Sequence, residues 1–376
     1  MVRVATFDAK ARLEIVEGVN ELPPSGYAVT NIGYNHPEML VSQMQYLINS
    51  NYAPTWMPTV EALGLAEKLI SYFPGYKCLR TTGGANGNEV AISVFHNLCG
   101  GEIGTFERSY HGWSQTTLGM GEIDKFKLPN VRKEYITKKL SPPNEHTIED
   151  VDKFFTENPL VKLFIAEPIL GSGGVIIPNK GYWKSFYDVC KKHGVYLVLD
   201  ETITAFGRMG EMFASQYYDI EPDGLIFAKG MSSGYAAIGA VLIKEEHLKS
   251  FKFGDVSATF AWTPFSCAVT TKNIEIIEND NLCENSRVIG EYLKNELIRS
   301  KTMDAISSGI VITGGSSMLN GAVELAESIF DAPVRLGLPR DIDGLLEVIE
   351  NPRYATGVGL LKMGKEDKDK DTNLHL

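Results

Sequence analysis

Apolar positions first fall at helical spacing. From His36-Pro37-Glu38 they recur at steps of three and four through Met39, Leu40, Met44, Leu47 and Ile48, which predicts a helix. A second helix is expected after Thr59, carrying Leu63, Leu65, Ala66, Leu69 and Ile70. The glycine-rich turn Thr82-Gly83-Gly84 opens a third, running through Val90 to Leu98, and a short strand follows near Ile103 to Phe106. Residues 1–30 alternate only weakly and end in the turn-rich stretch Leu22-Pro23-Pro24-Ser25-Gly26.

The middle of the chain changes character. Leu163-Phe164-Ile165-Ala166 is an apolar run ended by Glu167-Pro168. Tyr182 to Cys190 is helical in pattern, and Val195-Tyr196-Leu197-Val198-Leu199 is a second run, ended by Asp200. Leu225-Ile226-Phe227-Ala228 is a third, ended by Lys229, and Ala240-Val241-Leu242-Ile243 a fourth. Short runs apolar on both faces and joined by helices predict a mainly parallel α/β sheet covered on both sides. Ligands of such sheets sit beyond the carboxyl ends of the strands. Glu167, Asp200 and Lys229 each stand at such an end.

Charge and composition narrow the partners. The 376 residues carry a formal net charge of −11, which argues against nucleic acid or an anionic membrane as the main partner. No run of eighteen apolar residues predicts a membrane span, and the start (MVRVATFDAK) lacks the apolar core of a signal peptide, so a cytoplasmic location is expected. The five cysteines (Cys78, Cys99, Cys190, Cys267, Cys283) are scattered, with no Cys-x-x-Cys spacing, and no His-Glu-x-x-His occurs. Buried free thiols are expected, and no metal site. The final charge run, Lys365-Glu366-Asp367-Lys368-Asp369-Lys370-Asp371, reads as a disordered tail.

The chemistry begins with two residues. The carboxylate of Asp200 emerges where a buried strand stops; position alone leaves a helix cap or turn residue equally open. Lys229 follows a buried strand and precedes Gly230, Met231, Ser232, Ser233 and Gly234. An ammonium is costly to bury, and desolvation lowers a lysine pKa and frees the amine for Schiff-base chemistry. Alone, Lys229 also fits a surface lysine. Both at equivalent strand ends point to a cofactor site.

Longer motifs carry a resemblance. Glu167-Pro168-Ile169-Leu170-Gly171-Ser172-Gly173-Gly174-Val175 resembles the EP-x-x-G-x-x-G-V segment of class III aminotransferases. Asp200-Glu201-Thr202-Ile203-Thr204-Ala205-Phe206-Gly207-Arg208-Met209-Gly210 resembles their DEV-x-T-GFGR-x-G signature, and Glu221-Pro222-Asp223, Ala228-Lys229-Gly230 and Gly234-Tyr235 follow in the family's order. The resemblance covers about residues 31–299. It implies a three-layer, fold type I transferase domain that uses pyridoxal 5′-phosphate (PLP) in an aminotransferase of the EC 2.6.1 type. Lys229 matches the lysine that forms the Schiff base and shuttles the substrate Cα proton. Asp200 matches the aspartate that keeps the pyridine nitrogen protonated.

Other roles carry over in the same way. Ile203 stands under the ring, where many members have a glutamine; isoleucine resembles the amine–pyruvate and ω-amino acid–pyruvate branch. Thr82, Gly83 and Gly84 occupy the phosphate-cradling turn, although Ala85-Asn86-Gly87-Asn88-Glu89 holds one extra residue and lacks the usual acid. Tyr110, in Tyr110-His111-Gly112, matches the aromatic residue that stacks on the pyridine. Thr259 matches a threonine that reaches the phosphate of the neighbouring subunit, which implies a homodimer. Trp56, Trp113 and Trp262 fit a substrate pocket or core packing equally.

After Leu297 the pattern changes. The family's Arg-Gly-x-Gly-Leu strand does not appear; instead Gly309-Ile310-Val311-Ile312-Thr313-Gly314-Gly315 begins a match that runs through Pro333-Val334-Arg335 to Gly359-Leu360-Leu361. It resembles the last segment of the actin-like cell-division protein FtsA, a strand, helix, strand, helix pattern, and reads as a hybrid with Gly314-Gly315 structural. The expected divisions are an N-terminal segment, 1–48; a PLP-binding aminotransferase-like domain, 49–299; an FtsA-like segment, 303–361; and a charged tail, 362–376. The leading function is transamination between an amino donor and a 2-oxo acid. An aminomutase or decarboxylase would use the same Lys229 and Asp200. A catalytically impaired fusion that recruits a division partner and a dinucleotide dehydrogenase are the readings from other classes; no Gly-x-Gly-x-x-Gly follows a first strand to favour the latter.

Overall fold

The computed structural model describes residues 28–49, 52–54, 56–122, 137–249, 251, 258–299, 310–313, 334–338 and 352. In chain order these form α1 (Pro37–Asn49), α2 (Val60–Tyr72), β1 (Tyr76–Thr81), α3 (Gly84–Cys99), β2 (Glu102–Phe106), α4 (Gln115–Met120), β3 (Thr137–Leu140), α5 (Ile148–Glu157), β4 (Val161–Ala166), α6 (Tyr182–His193), β5 (Tyr196–Asp200), α7 (Ala214–Tyr217), β6 (Gly224–Phe227), β7 (Gly239–Lys244), α8 (Pro264–Asn279), α9 (Leu282–Arg299), β8 (Ile310–Ile312) and β9 (Val334–Leu336). Among the described residues no helix is long and apolar enough to cross a membrane.

Seven strands make one sheet in the order β1-β7-β6-β5-β4-β2-β3. The pairs β6–β5, β5–β4, β4–β2 and β2–β3 are parallel, as the apolar runs and intervening helices predict. Strand β7 runs antiparallel to both β6 and β1. No α-helix intervenes between β6 and β7, so the chain lacks the crossover a parallel return requires. The pattern anticipates the five inner strands and not the two edges. Strand β1 carries the polar Lys77 and Arg80, one on each face, and β3 reads Thr-Lys-Lys-Leu. Edge strands lack the two-sided burial that makes an inner strand recognisable.

Alternate side chains feed two separate cores. On one face Phe164, Leu197, Leu199, Leu225, Phe227 and Leu242 pack with Trp183 and Phe186 of α6 and Leu65 and Leu69 of α2. On the other, Leu163, Ile165, Val198, Ile226 and Val241 pack against Val90, Val94 and Phe95 of α3. The period of two in a strand divides neighbouring residues between the faces, and the result is three layers. Helix ends follow local chemistry: Thr59 accepts from the Ala62 amide at the start of α2, and Thr147 and Asp150 form a reciprocal cap on α5.

The chain divides into two compact units, residues 1–171 with 176–292, and residues 172–175 with 293–376. In the first, α1 of the expected N-terminal segment packs on α8 and buries Met39. In the second, β8 and β9 pair in parallel, and the Thr313 hydroxyl donates to the Gly337 carbonyl at 2.7 Å. Most of the strand–helix–strand–helix pattern expected over 303–361, including Gly314 and Gly315, and all of the tail 362–376 lie outside the described residues.

Candidate functional site

The carboxyl ends of β1, β2, β4, β5 and β6 meet along one edge of the sheet. The register requires it: Thr81 lies level with Gly239, Phe227 with Ala240, and Leu199 with both Leu225 and Ala166. A cavity of about 270 Å³ opens there, and each of the five following loops contributes to its wall. Gly84 and Ala85 come from the start of α3, where the loop after β1 ends, Tyr110 to Trp113 from the loop after β2, and Glu167 from that after β4. Asp200, Thr202 and Ile203 come from the end of β5, and Lys229 from the turn after β6.

Asp200 is 4% exposed and densely partnered. Its Oδ2 contacts Nδ1 of His111 at 2.9 Å and accepts from the Asn88 amide at 2.9 Å; Oδ1 accepts from the Thr202 backbone at 3.2 Å. Burial by itself raises a carboxyl pKa. Here the hydrogen bond from His111 and the ring's charge, with Thr202 and Asn88, outweigh it, and Asp200 is held below the usual carboxylate range. It is an oriented anion at the cavity floor.

Lys229 begins a single 3₁₀ turn with φ at +43°, left-handed backbone that a side chain rarely adopts. Close packing holds it there: a Cβ on Gly230 would meet the Asn31 side chain at 2.3 Å, and Asn273 donates to the carbonyls of Gly230 and Met231 at 3.0 and 2.9 Å. Burial lowers the Lys229 pKa, and the neighbouring carboxylates of Glu167 and Asp200 recover only part of the loss. The amine therefore holds its proton less firmly than a surface lysine.

Glu167, 4% exposed, accepts from the backbone amides of Tyr110 and Gly171, each at 3.0 Å. Its carboxyl is pushed up to about 7 by burial, with His111 opposing and Asp200 adding to the rise.

The structure thus brings Gly84, Tyr110, Asp200, Ile203 and Lys229 to one cavity. Thr82 and Gly83 do not line it. Thr82 borders a second cavity of about 450 Å³ with Thr263 and Phe265, and its amide donates to Oδ1 of Asn86 at 3.1 Å. Thr259 sits on an exposed turn beside Phe260 and also stays outside the first cavity. Of the tryptophans, Trp113 lines the cavity, Trp262 is core, donating to the Gly239 carbonyl at 2.7 Å, and Trp56 is exposed. Sequence reasoning missed the parts played by His111 and Asn88. A histidine between an aromatic residue and a glycine, and an asparagine in a helix start that lacks the usual acid, were the signals.

The protein-family comparison matches residues 16–318 to the aminotransferase class-III family. The chain belongs to that family. Class-III aminotransferases are PLP-dependent enzymes, and their fold type I architecture is the one described above. An acetylornithine aminotransferase of Methanothermobacter thermautotrophicus is 34% identical over 282 residues, covering 73% of this chain and 69% of the relative. An uncharacterized aminotransferase, YhxA, of Bacillus subtilis is 30% identical over 305 residues, covering 73% and 66%. Among solved structures, a Bacillus anthracis aminotransferase superposes with a TM-score of 0.69 at 28% identity, covering 75% of this chain and 69% of its own. The chain spans about two thirds of the length of these class-III relatives. The match begins before and ends after the 31–299 carried by the motifs.

Proposed function

We propose that the five-loop cavity is the PLP site of a transaminase that moves an amino group between an amine or amino acid and a 2-oxo acid. The observation that carries this reading is the convergence of Lys229, its proton affinity lowered by burial, with the anionic Asp200 in one cavity.

The residues fit the cofactor. Helix α3 starts at the cavity without a side-chain cap, so its first amides are open to an anion such as a phosphate group. A Cβ on Gly84 would come within 3.0 Å of the Thr202 hydroxyl, itself buried without a hydrogen-bond partner. Gly84 and the α3 terminus would hold the phosphate, with Thr82 and Gly83 supporting the turn. Tyr110 and Ile203 would flank the ring, and Asp200 would face its nitrogen. When bound, PLP supplies an electron sink for the pair left by removal of the substrate Cα proton. Asp200 would keep the facing nitrogen protonated, with His111 and Asn88 fixing its angle. Lys229 would carry the cofactor covalently, then take and return the Cα proton through Nζ.

An aminomutase or decarboxylase would use the same pair, and substrate screening separates them. Ile203 favours donors of the amine or ω-amino type. A homodimer belongs to the same reading. It is supported by the exposed apolar Leu40, Val41, Met44 and Leu47 of α1, and by Phe260 (69% exposed) beside Thr259, which would reach the partner's phosphate. A cytoplasmic location is supported by five free thiols. For residues 303–361 the FtsA-like reading is supported by the parallel β8–β9 pair, with Thr313 in a structural bond.

The test is covalent. Purified protein reconstituted with PLP should show the visible absorption of a lysine-linked cofactor, and borohydride should fix the label on Lys229. A peptide map with the label on another lysine, or on none, overturns the assignment. Lys229→Ala should lose covalent attachment and keep the fold.

A further inference from the structure

Glu167 is the third polar residue at a strand end, and the chemistry above leaves it without a role. Its two oxygens accept from two different segments. Oε1 accepts the amide of Tyr110, 57 residues away in sequence, and Oε2 that of Gly171. Tyr110 forms one cavity wall. Gly171 backs the other, since a Cβ there would meet Cδ1 of Ile203 at 2.8 Å. The carboxylate is therefore a brace between the two walls that flank the proposed ring. It also shares the cavity with Lys229, and of the charges acting on that amine it is the one that most favours the proton.

We propose that Glu167 is a positioning residue of the cofactor cleft, which braces the Tyr110 and Ile203 walls through its two oxygens and sets the proton affinity of the Lys229 nitrogen through its charge. The inference rests on the reading of the cavity as the PLP site. Its physics is simple. A carboxylate accepts at both oxygens, whereas an amide of the same shape accepts at one and turns an N–H donor towards the other backbone N–H. An anion near an amine or imine nitrogen stabilises its protonated form. The groups facing Glu167 are His111, Asp200 and Lys229, with Arg208 acting on Lys229 in the opposite sense.

The test compares full-length parent, Glu167→Gln and Glu167→Asp, each titrated with PLP and then followed by visible absorption against pH. Glu167→Gln should weaken PLP binding by about tenfold, the cost of one unsatisfied buried amide. It should also move the pH midpoint of the lysine-linked cofactor downwards by about one pH unit. Glu167→Asp keeps the charge and loses the reach, so it should weaken binding while its midpoint stays nearer the parent's. Parental affinity and midpoint in Glu167→Gln overturn the proposal, as does a loss of thermal stability with an unmoved midpoint. Should Glu167→Gln fail to fold, Glu167→Asp decides: PLP bound as tightly as by the parent refutes the brace. A parent with no lysine-linked absorption refutes the cofactor reading instead, and this inference with it.

Discussion

Asp200 is held below the usual carboxylate range although burial alone would raise it, because His111, Asn88 and the Thr202 amide converge on its two oxygens. Two of those partners come from distant parts of the chain and the third from the turn that follows Asp200, so the orientation of the carboxylate is set before any ligand arrives. Asn in its place preserves shape and removes the anion. Asp200→Asn should therefore bind PLP but slow Cα proton removal by about two to four powers of ten, corresponding to the ~3–5 kcal/mol of a broken buried pair. Single-turnover absorbance changes with an amine donor measure it, and a near-parental half-reaction rate would remove Asp200 from its role. The depressed pKa means that the anion persists through the neutral range and is lost only as pH falls through the acid range, so this part of the pH profile should be flat near 7.

At the scale of elements, the site depends on how closely the Tyr110–Trp113 turn lies against the start of α3. Gly112 is the contact point. Its φ is +128°, and a Cβ there would stand 2.5 Å from Cβ of Ala85 and 2.7 Å from its Cα. Neither neighbour is a flexible side-chain end. Gly112→Ala should push the turn off the helix, cost about 1–3 kcal/mol of stability and weaken PLP binding. Denaturant unfolding paired with a PLP titration checks it; parental values in both would mean that the turn relaxes freely. The motif Tyr110-His111-Gly112 shows this turn in the sequence, but not the reason for its glycine. That reason is a neighbour 27 residues earlier that only the packing reveals.

For the whole molecule, the described cavity is lined by one cation, Lys229, and by two carboxylates, and among its described lining residues there is no arginine. A donor with a remote carboxylate finds no counter-charge in that wall. A simple amine should therefore be turned over with a kcat/KM about tenfold above that of its ω-carboxylate analogue, the discrimination of roughly one unpaired buried charge contact. Steady-state comparison of such a pair decides it. Equal and vigorous turnover would mean that a carboxylate partner comes from outside this wall.

What the sequence determined by itself was local in range. A run of apolar residues identifies an inner strand, and the polar residue that ends it marks the sheet edge where ligands bind; Asp200 and Lys229 were legible for that reason, and the longer motifs assigned them a chemistry. The tertiary structure decided what depends on strand order. It turned β7 against its neighbours, placed the polar strands β1 and β3 at the edges, and left Thr82, Gly83 and Thr259 outside the cavity that Gly84 enters. It also brought His111 to Asp200 across 89 residues and the Tyr110 amide to Glu167 across 57. Hydrophobic period reports which face a residue takes; it carries no information on which distant loop will lie beside it, because that follows from the order in which strands pair.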